Sequence, residues 1–203
     1  MEKNQFRRGL YILTISTEYL HLVKNVVGEN IKKGNPWMIS GDTRIIDGQY
    51  EEMTKWSDFN TSSPILFNFY HGLELLLKGF LILKENYVLE PSHLVEKLFE
   101  EFKKNYNEKQ GLISVLNKYL TLESMPPFLA SCLKDNNIQI NNLYEFFRYP
   151  FDKQFQKEYD YSRLKHQEEK GLTFFKEFEG DIDTLLKEAV KLYREIEKEQ
   201  KTI

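Results

Sequence analysis

Phe67-Asn68-Phe69-Tyr70-His71-Gly72-Leu73-Glu74-Leu75-Leu76-Leu77-Lys78-Gly79-Phe80-Leu81 is apolar on nearly every side, yet it carries a histidine, an acid and a base. A helix that is hydrophobic all round belongs in a core or a membrane. The wider apolar segment, Ile65 to Leu83, is long enough to span a bilayer, but Glu74 and Lys78 lie near its middle. A charge there costs roughly 2.5–3.5 kcal/mol on insertion, so the expectation is a buried core helix with no membrane partner. His71, Glu74 and Lys78 follow i, i+3, i+7 spacing and share one face. Glu74 and Lys78 form an i,i+4 pair in the favourable order. Inside a core neither charge is left unpaired without a cost of several kcal/mol, and Arg148 in Phe146-Phe147-Arg148-Tyr149-Pro150 is the expected partner of Glu74.

Helical spacing continues on either side of this segment. Phe6, Leu10, Leu13, Thr17, Leu20, Lys24 and Val27 step by three and four, and Ile12, Ile15, Tyr19, Leu22 and Val26 cover an adjacent face. Two stripes predict a long first helix ending around Gly28 to Gly34. Residues 35–60 break the pattern and read as an irregular insertion, with a hairpin between Trp37-Met38-Ile39 and Arg44-Ile45-Ile46. Ser62-Ser63-Pro64 reads as the start of the core helix, a hydroxyl cap followed by proline, and Glu85 as its end. Pro91-Ser92 opens a helix through Tyr106, and shorter ones follow at Leu112–Leu120, Phe128–Leu133 and Leu143–Phe147. Residues 151–171 carry no clear period. Asp181 or Asp183 is the expected cap of a last helix through Ile196, with residues 197–203 fraying. The expected fold is all-α: one domain over residues 1–203, an up-and-down bundle of four to five main helices with an irregular or hairpin insertion after the first.

Composition agrees with a packed bundle. Twelve Tyr, 15 Phe and 2 Trp in 203 residues supply a large apolar payload for core and interface. With 28 Lys+Arg against 31 Asp+Glu, the net charge of −3 excludes a broadly basic nucleic-acid binder and leaves room for local patches. The lone Cys132 has no internal disulfide partner, and the apolar stretch near the N-terminus is broken by polar residues, so the expected location is the cytoplasm.

Three pieces in order, "HGLELLLKGFLIL", "SHLVEKLFEEF" and "YEFFRYPFD", resemble the HEPN superfamily (higher-eukaryote and prokaryote nucleotide-binding domains) over residues 64–152. The shared features are a central E-x-x-x-K-like helix, a following helix opened by a His-containing turn, and an Arg-Tyr-Pro-like junction. The resemblance implies a helical bundle, often a homodimer, tied to RNA or nucleotide handling, toxin–antitoxin pairs or phage defence, with a cognate antitoxin or nucleotidyltransferase as partner. Its ribonuclease members carry Arg followed four to six residues later by His, and no such pair stands in this sequence. The expectation is therefore a non-catalytic binding bundle whose ligand-binding stripe is His71, Glu74, Lys78 and Arg148. One alternative is a homodimeric interaction module with a buried structural ion-pair network. A second is a divergent metal-independent ribonuclease, with His71 and His166 as its candidate catalytic residues.

Further chemistry is sparse. Arg163, Lys165 and His166 are candidate phosphate contacts, with Tyr159 and Tyr161 beside them for base stacking; Lys32-Lys33 and Lys103-Lys104 are the other basic pairs. Glu18-x-x-His21 and Glu90-x-x-His93 have the spacing seen in di-iron bundles, but Pro91 interrupts the second. The expectation is no metal and no cofactor. No nucleotide-binding glycine loop or serine-nucleophile elbow is present in the sequence.

Overall fold

The computed structural model describes residues 3–36, 48–84, 87, 93–152 and 154–202. Among these, eight α-helices and two 3-10 turns account for the regular structure. The helices are α1 (Lys3–Lys33), α2 (Gln49–Thr54), α3 (Asp58–Leu83), α4 (Val95–Asn105), α5 (Gln110–Leu120), α6 (Pro127–Asp135), α7 (Leu143–Arg148) and α8 (Glu168–Thr202). The all-α bundle expected from the sequence is the fold observed. The hairpin expected around residues 37–46 and the helix start at Pro91-Ser92 lie outside the described residues.

Helix α3 is the hub. It is long and apolar enough to cross a membrane by composition alone, but 67% of its most apolar window is buried in the protein. Its aromatic side chains interlock with their neighbours: Phe69 meets Tyr119 of α5 at 4.9 Å and Phe178 of α8 at 4.6 Å, both edge-on. Tyr70 donates to the Tyr119 carbonyl, and the Tyr119 hydroxyl donates in turn to Asp181 at 2.7 Å. That chain of bonds joins α3, α5 and α8 and satisfies each buried hydroxyl. Cys132 is wholly buried in α6, and burial pushes its thiol up to about 12, the behaviour of a small apolar core residue.

Antiparallel α1 and α3 approach closely along small residues. Gly9 and Ser16 on α1 face Gly79 and Gly72 on α3, each pair one heptad apart. Ser16 Oγ donates to the Gly72 carbonyl at 2.8 Å. A Cβ placed on Gly79 would stand 2.6 Å from Leu13 Cδ2, and one on Gly9 the same distance from Leu83 Cδ2. Without side chains at these points the two backbones can nearly touch, which brings Leu13 and Leu20 into contact with α3.

At the opposite end three segments meet on one carboxylate. Helix α1 stops at Gly34 in the left-handed conformation, φ 77°, with Asn35 N–H bonded back to the Asn30 carbonyl at 3.0 Å. Asn35 then reaches Asp58, the first residue of α3: its Oδ1 accepts from the Asp58 N–H at 2.7 Å and its Nδ2 donates to Asp58 Oδ2 at 3.1 Å. The same carboxylate, 4% exposed as a residue, accepts the backbone N–H groups of His166 at 2.9 Å and Gln167 at 2.7 Å. His166 and Glu168 are held at φ 57° and 49° as the chain turns into α8.

This node explains two departures from the sequence reading, the starts of α3 and α8, and two others stand beside them. Helix α3 begins at Asp58, not at Pro64, because the bonds to Asp58, together with Thr61 N–H on the Ser57 carbonyl at 3.0 Å, start the helix before the proline. Pro64 is accommodated inside, near the solvent, at the expense of one helical bond. Residues 35–60 likewise include a helix, α2. Helix α8 begins at Glu168, thirteen residues ahead of Asp181. Phe175, Phe178 and Ile182 already form its buried face there, and Asp181 takes Lys118 at 2.6 Å instead of capping anything. The last helix also runs to Thr202, where fraying from residue 197 was expected.

Candidate functional site

Glu74 is 5% exposed in the middle of α3, and the core offers it no solvent. Lys78, one turn on, donates to its Oε1 at 2.5 Å, and His93 Nδ1 contacts the same oxygen at 2.8 Å from the start of the next helix. Two donors on one oxygen offset a desolvation cost of several kcal/mol that a lone carboxylate could not bear. The two partners differ in exposure: the Lys78 side chain is 14% exposed and that of His93 85%. A buried acid thus positions an imidazole at the surface. The first turn of α4 is fixed by Asn141, whose Oδ1 accepts from the Glu96 N–H at 3.1 Å while its Nδ2 donates to the Glu96 carboxylate.

His71 lies one turn before Glu74, among rings from three helices. Tyr19 of α1 presents its edge at 4.7 Å, Phe67 stacks nearly parallel at 6.3 Å, and Tyr144 of α7 lies at 5.8 Å. Its Nδ1 is buried and makes no hydrogen bond among the described residues. Burial lowers the His71 pKa, with Lys78 and His93 acting in the same direction and Glu74 opposing them. Because the folded value lies below the ordinary 6.5, the unfolded chain binds the proton more readily. The stability contributed by neutral His71 is complete above that value and is lost as the pH falls below it. Acidification from about pH 7 to about pH 5 should therefore lower the thermal midpoint, and His71→Phe should make the dependence shallower. Identical pH profiles for the two proteins would refute this.

Arg148 does not reach Glu74. Its guanidinium lies 5.0 Å above the Tyr149 ring and 5.6 Å from that of Tyr144, with a 3.5 Å contact to the Tyr144 hydroxyl. Short α7 ends at Arg148, so the side chain stays exposed, and the role given to it in the sequence reading falls to His93. Arg148 is still one ring away from His71, because Tyr144 touches both. The contacts run in series from the exposed His93 imidazole through the Glu74–Lys78 pair, and from the ring cluster around His71 through Tyr144 to the exposed Arg148 guanidinium.

The remaining candidates fall elsewhere. His166 stacks on Phe59 at 4.9 Å, and twelve residues of α3 separate Phe59 from His71, about 18 Å along the axis. The two histidines considered for catalysis therefore do not share a site within the chain. Of the three expected phosphate contacts, Lys165 and His166 share the Phe59 ring, each at 4.9 Å, while Arg163 is held by Asp135 at 2.8 Å. Tyr159 and Tyr161 pack on Phe146 at 5.1 and 4.9 Å, as part of the core and not as stacking platforms. Lys32, Lys103 and Lys104 pair with acids three residues before them.

The chain has no match among family models, curated proteins or solved structures. The chemistry of the site has to be read from its own residues. Sequence reasoning treats His93 as a helix-start residue; the signal that marks it is its place two residues before α4, after an E-x-x-x-K segment. Tyr19 and Tyr144 carry no such signal, since each belongs to an ordinary amphipathic stripe.

Proposed function

We propose that this chain binds RNA or a nucleotide on the face formed by Tyr144, Arg148, His71, Lys78 and His93, without carrying out catalysis there. One observation carries the reading: a buried carboxylate, Glu74, holds a lysine and an exposed imidazole beside a ring cluster topped by an arginine that makes no ion pair among the described residues. Cationic nitrogen donors suit phosphate oxygens, and exposed ring and guanidinium faces suit a base. The resemblance of residues 64–152 to HEPN bundles supports the same ligand class, and it is the basis for a role in a toxin–antitoxin or phage-defence system. Fluorescence anisotropy with a labelled oligouridylate and with ATP, at low salt, tests the reading. Arg148→Ala, at an exposed position, should weaken binding about 10-fold or more while shifting the melting midpoint by no more than about 1 °C. If neither ligand binds the unaltered chain, the reading is wrong.

A homodimeric interaction module is the second reading, favoured by the outer face of α1. Tyr11 is 68% and Leu22 50% exposed there, on a stripe shared with Ile15 and Val26. Two copies of this face laid antiparallel match themselves: Ile15 meets Leu22, Tyr11 meets Val26, and Arg8 meets Glu29. Such self-matching is what a two-fold interface requires. Leu22→Glu should then turn a dimer into a monomer in sedimentation velocity; an unaltered chain that sediments as a monomer at micromolar concentration would exclude this reading.

A further inference from the structure

Helices α1 and α8 lie antiparallel, and a groove of about 690 Å³ opens between them at Thr17, His21, Leu186 and Val190. It lies on the flank of α1 away from Tyr19, so it is separate from the His71 face. Its floor is apolar: Val190 is 43% exposed, and beyond it the floor drops into a pocket of about 150 Å³ walled by Leu10, Phe80 and Tyr193.

The rim is cationic. Lys187, Lys191, Arg194 and Lys198 follow i, i+4, i+7, i+11 spacing, a single stripe about 16 Å long on α8. Lys187 and Arg194 make no ion pair among the described residues, and the nearest carboxylate to Lys191 is Glu188 at 3.9 Å. Glu195 is the one acid lining the groove among the described residues, and Lys109 of α5 holds it at 2.5 Å. From Lys187 onwards the cations line the groove, while Glu188 packs against Gly111 of α5 and Glu195 is held by Lys109; nearer the start of the helix Asp183 pairs with Lys24 of α1. In the sequence the two signs alternate and cancel.

Lys187 and Arg194, which make no ion pair among the described residues, stand over an uncovered apolar floor and call for an occupant with both properties. A polyphosphate would satisfy the rim but leave Val190 and the pocket in water. The groove also lacks an open ring for a base, since Tyr193 is half-buried with its ring 6.4 Å from Phe6. We infer that the α1–α8 groove is a docking site for an acidic amphipathic helix of a partner protein. The partner's apolar side chains, at i, i+3 and i+4, cover Val190 and fill the pocket, and its carboxylates lie along Lys187, Lys191 and Arg194. This inference does not depend on the nucleotide reading, because the two sites lie on different flanks of α1.

Selection of a random peptide library, long enough for three to four helical turns, on the immobilised full chain tests it. Enriched peptides are expected to be acidic, with apolar residues at helical spacing. Their binding should weaken about 10-fold or more with Lys191→Glu/Arg194→Glu, whose fold is checked by circular dichroism. Val190→Arg should weaken it as well, while Arg148→Ala should not. The inference is overturned if the enriched peptides lack acids, or if they bind both groove variants as they bind the unaltered chain. It is equally overturned if a short oligouridylate displaces them with an affinity lost in the same variants, since the groove is then a nucleic-acid site. Loss of self-association in those variants, with no peptide enriched, would overturn it too and make the groove a contact between copies.

Discussion

Replacing Gly79 with valine is expected to lower the thermal midpoint by roughly 2–12 °C. The Cβ alone would stand 2.6 Å from Leu13 Cδ2, 2.7 Å from Leu13 Cγ and 3.3 Å from the Leu13 backbone nitrogen. Leu13 is 6% exposed and cannot withdraw into solvent, so the strain passes into the α1–α3 seam. Separating the helices enough to admit two more methyl groups would also stretch the Ser16–Gly72 bond one heptad away. Overpacking of this kind costs about 1–3 kcal/mol, and in a chain of this length each kcal/mol shifts the midpoint by about 2–4 °C. Gly180 provides the internal contrast. It sits in α8, where nothing lies within 4 Å of the point a Cβ would occupy, so Gly180→Ala should raise the midpoint through helix propensity, by up to about 1 kcal/mol. Differential scanning fluorimetry of the two variants decides the matter. Opposite expectations at two helical glycines leave little room for a generic effect of adding bulk, and a Gly79→Val protein that melts with the unaltered chain would show that α1 and α3 are not this close.

Asp58→Ala is expected to cost about 2–4 kcal/mol, through donors left without an acceptor. Removing the carboxylate strands one proton of the Asn35 amide in a buried bond and the His166 and Gln167 N–H groups in part-buried ones; Asp58 and Asn35 are each 4% exposed. Each buried donor without a partner costs about 1–3 kcal/mol, and entry of water at the cavity recovers part of this. The loss should be local before it is global. In hydrogen exchange the amides of 166 and 167 and the first turn of α8 should lose protection, while the Phe69–Tyr119–Phe178 cluster keeps it. Unchanged protection at 166 and 167 would mean that Asp58 does not hold them.

These two sites show what the sequence could and could not convey. The periodicity of Phe6 to Val27, Leu94 to Tyr106 and Leu112 to Leu120 is local, and the helices it predicts are present. The starts of α3 and α8 are settled by Asn35 and His166 meeting Asp58 across long sequence separations, and no local signal registers that. Ser62-Ser63-Pro64 is a sound cap signal overruled by tertiary bonds. At the candidate site, Glu74 and Lys78 were legible because charge in an all-apolar helix is anomalous. Their partner was not: Arg148 and His93 are both plausible by type, and only the position of His93 ahead of α4 and the short length of α7 decide between them. The basic stripe of α8 was invisible for a different reason, since a helix sorts by face what the sequence interleaves.

The Asp58 node also bears on the order in which the chain assembles. Its bond to Asn35 closes a loop of 23 residues, while its bonds to His166 and Gln167 span 108 and 109. The longer closure costs only about 1.4 kcal/mol more in chain entropy, and the local contacts within α4 to α7 are expected to form ahead of it. The order expected on this ground puts the α1–α3 pair early and the head of α8 late, which φ-values at Ser16 and Asp58 would check. In the folded chain the carboxylate held by Asn35 is the point that fixes where the last helix begins.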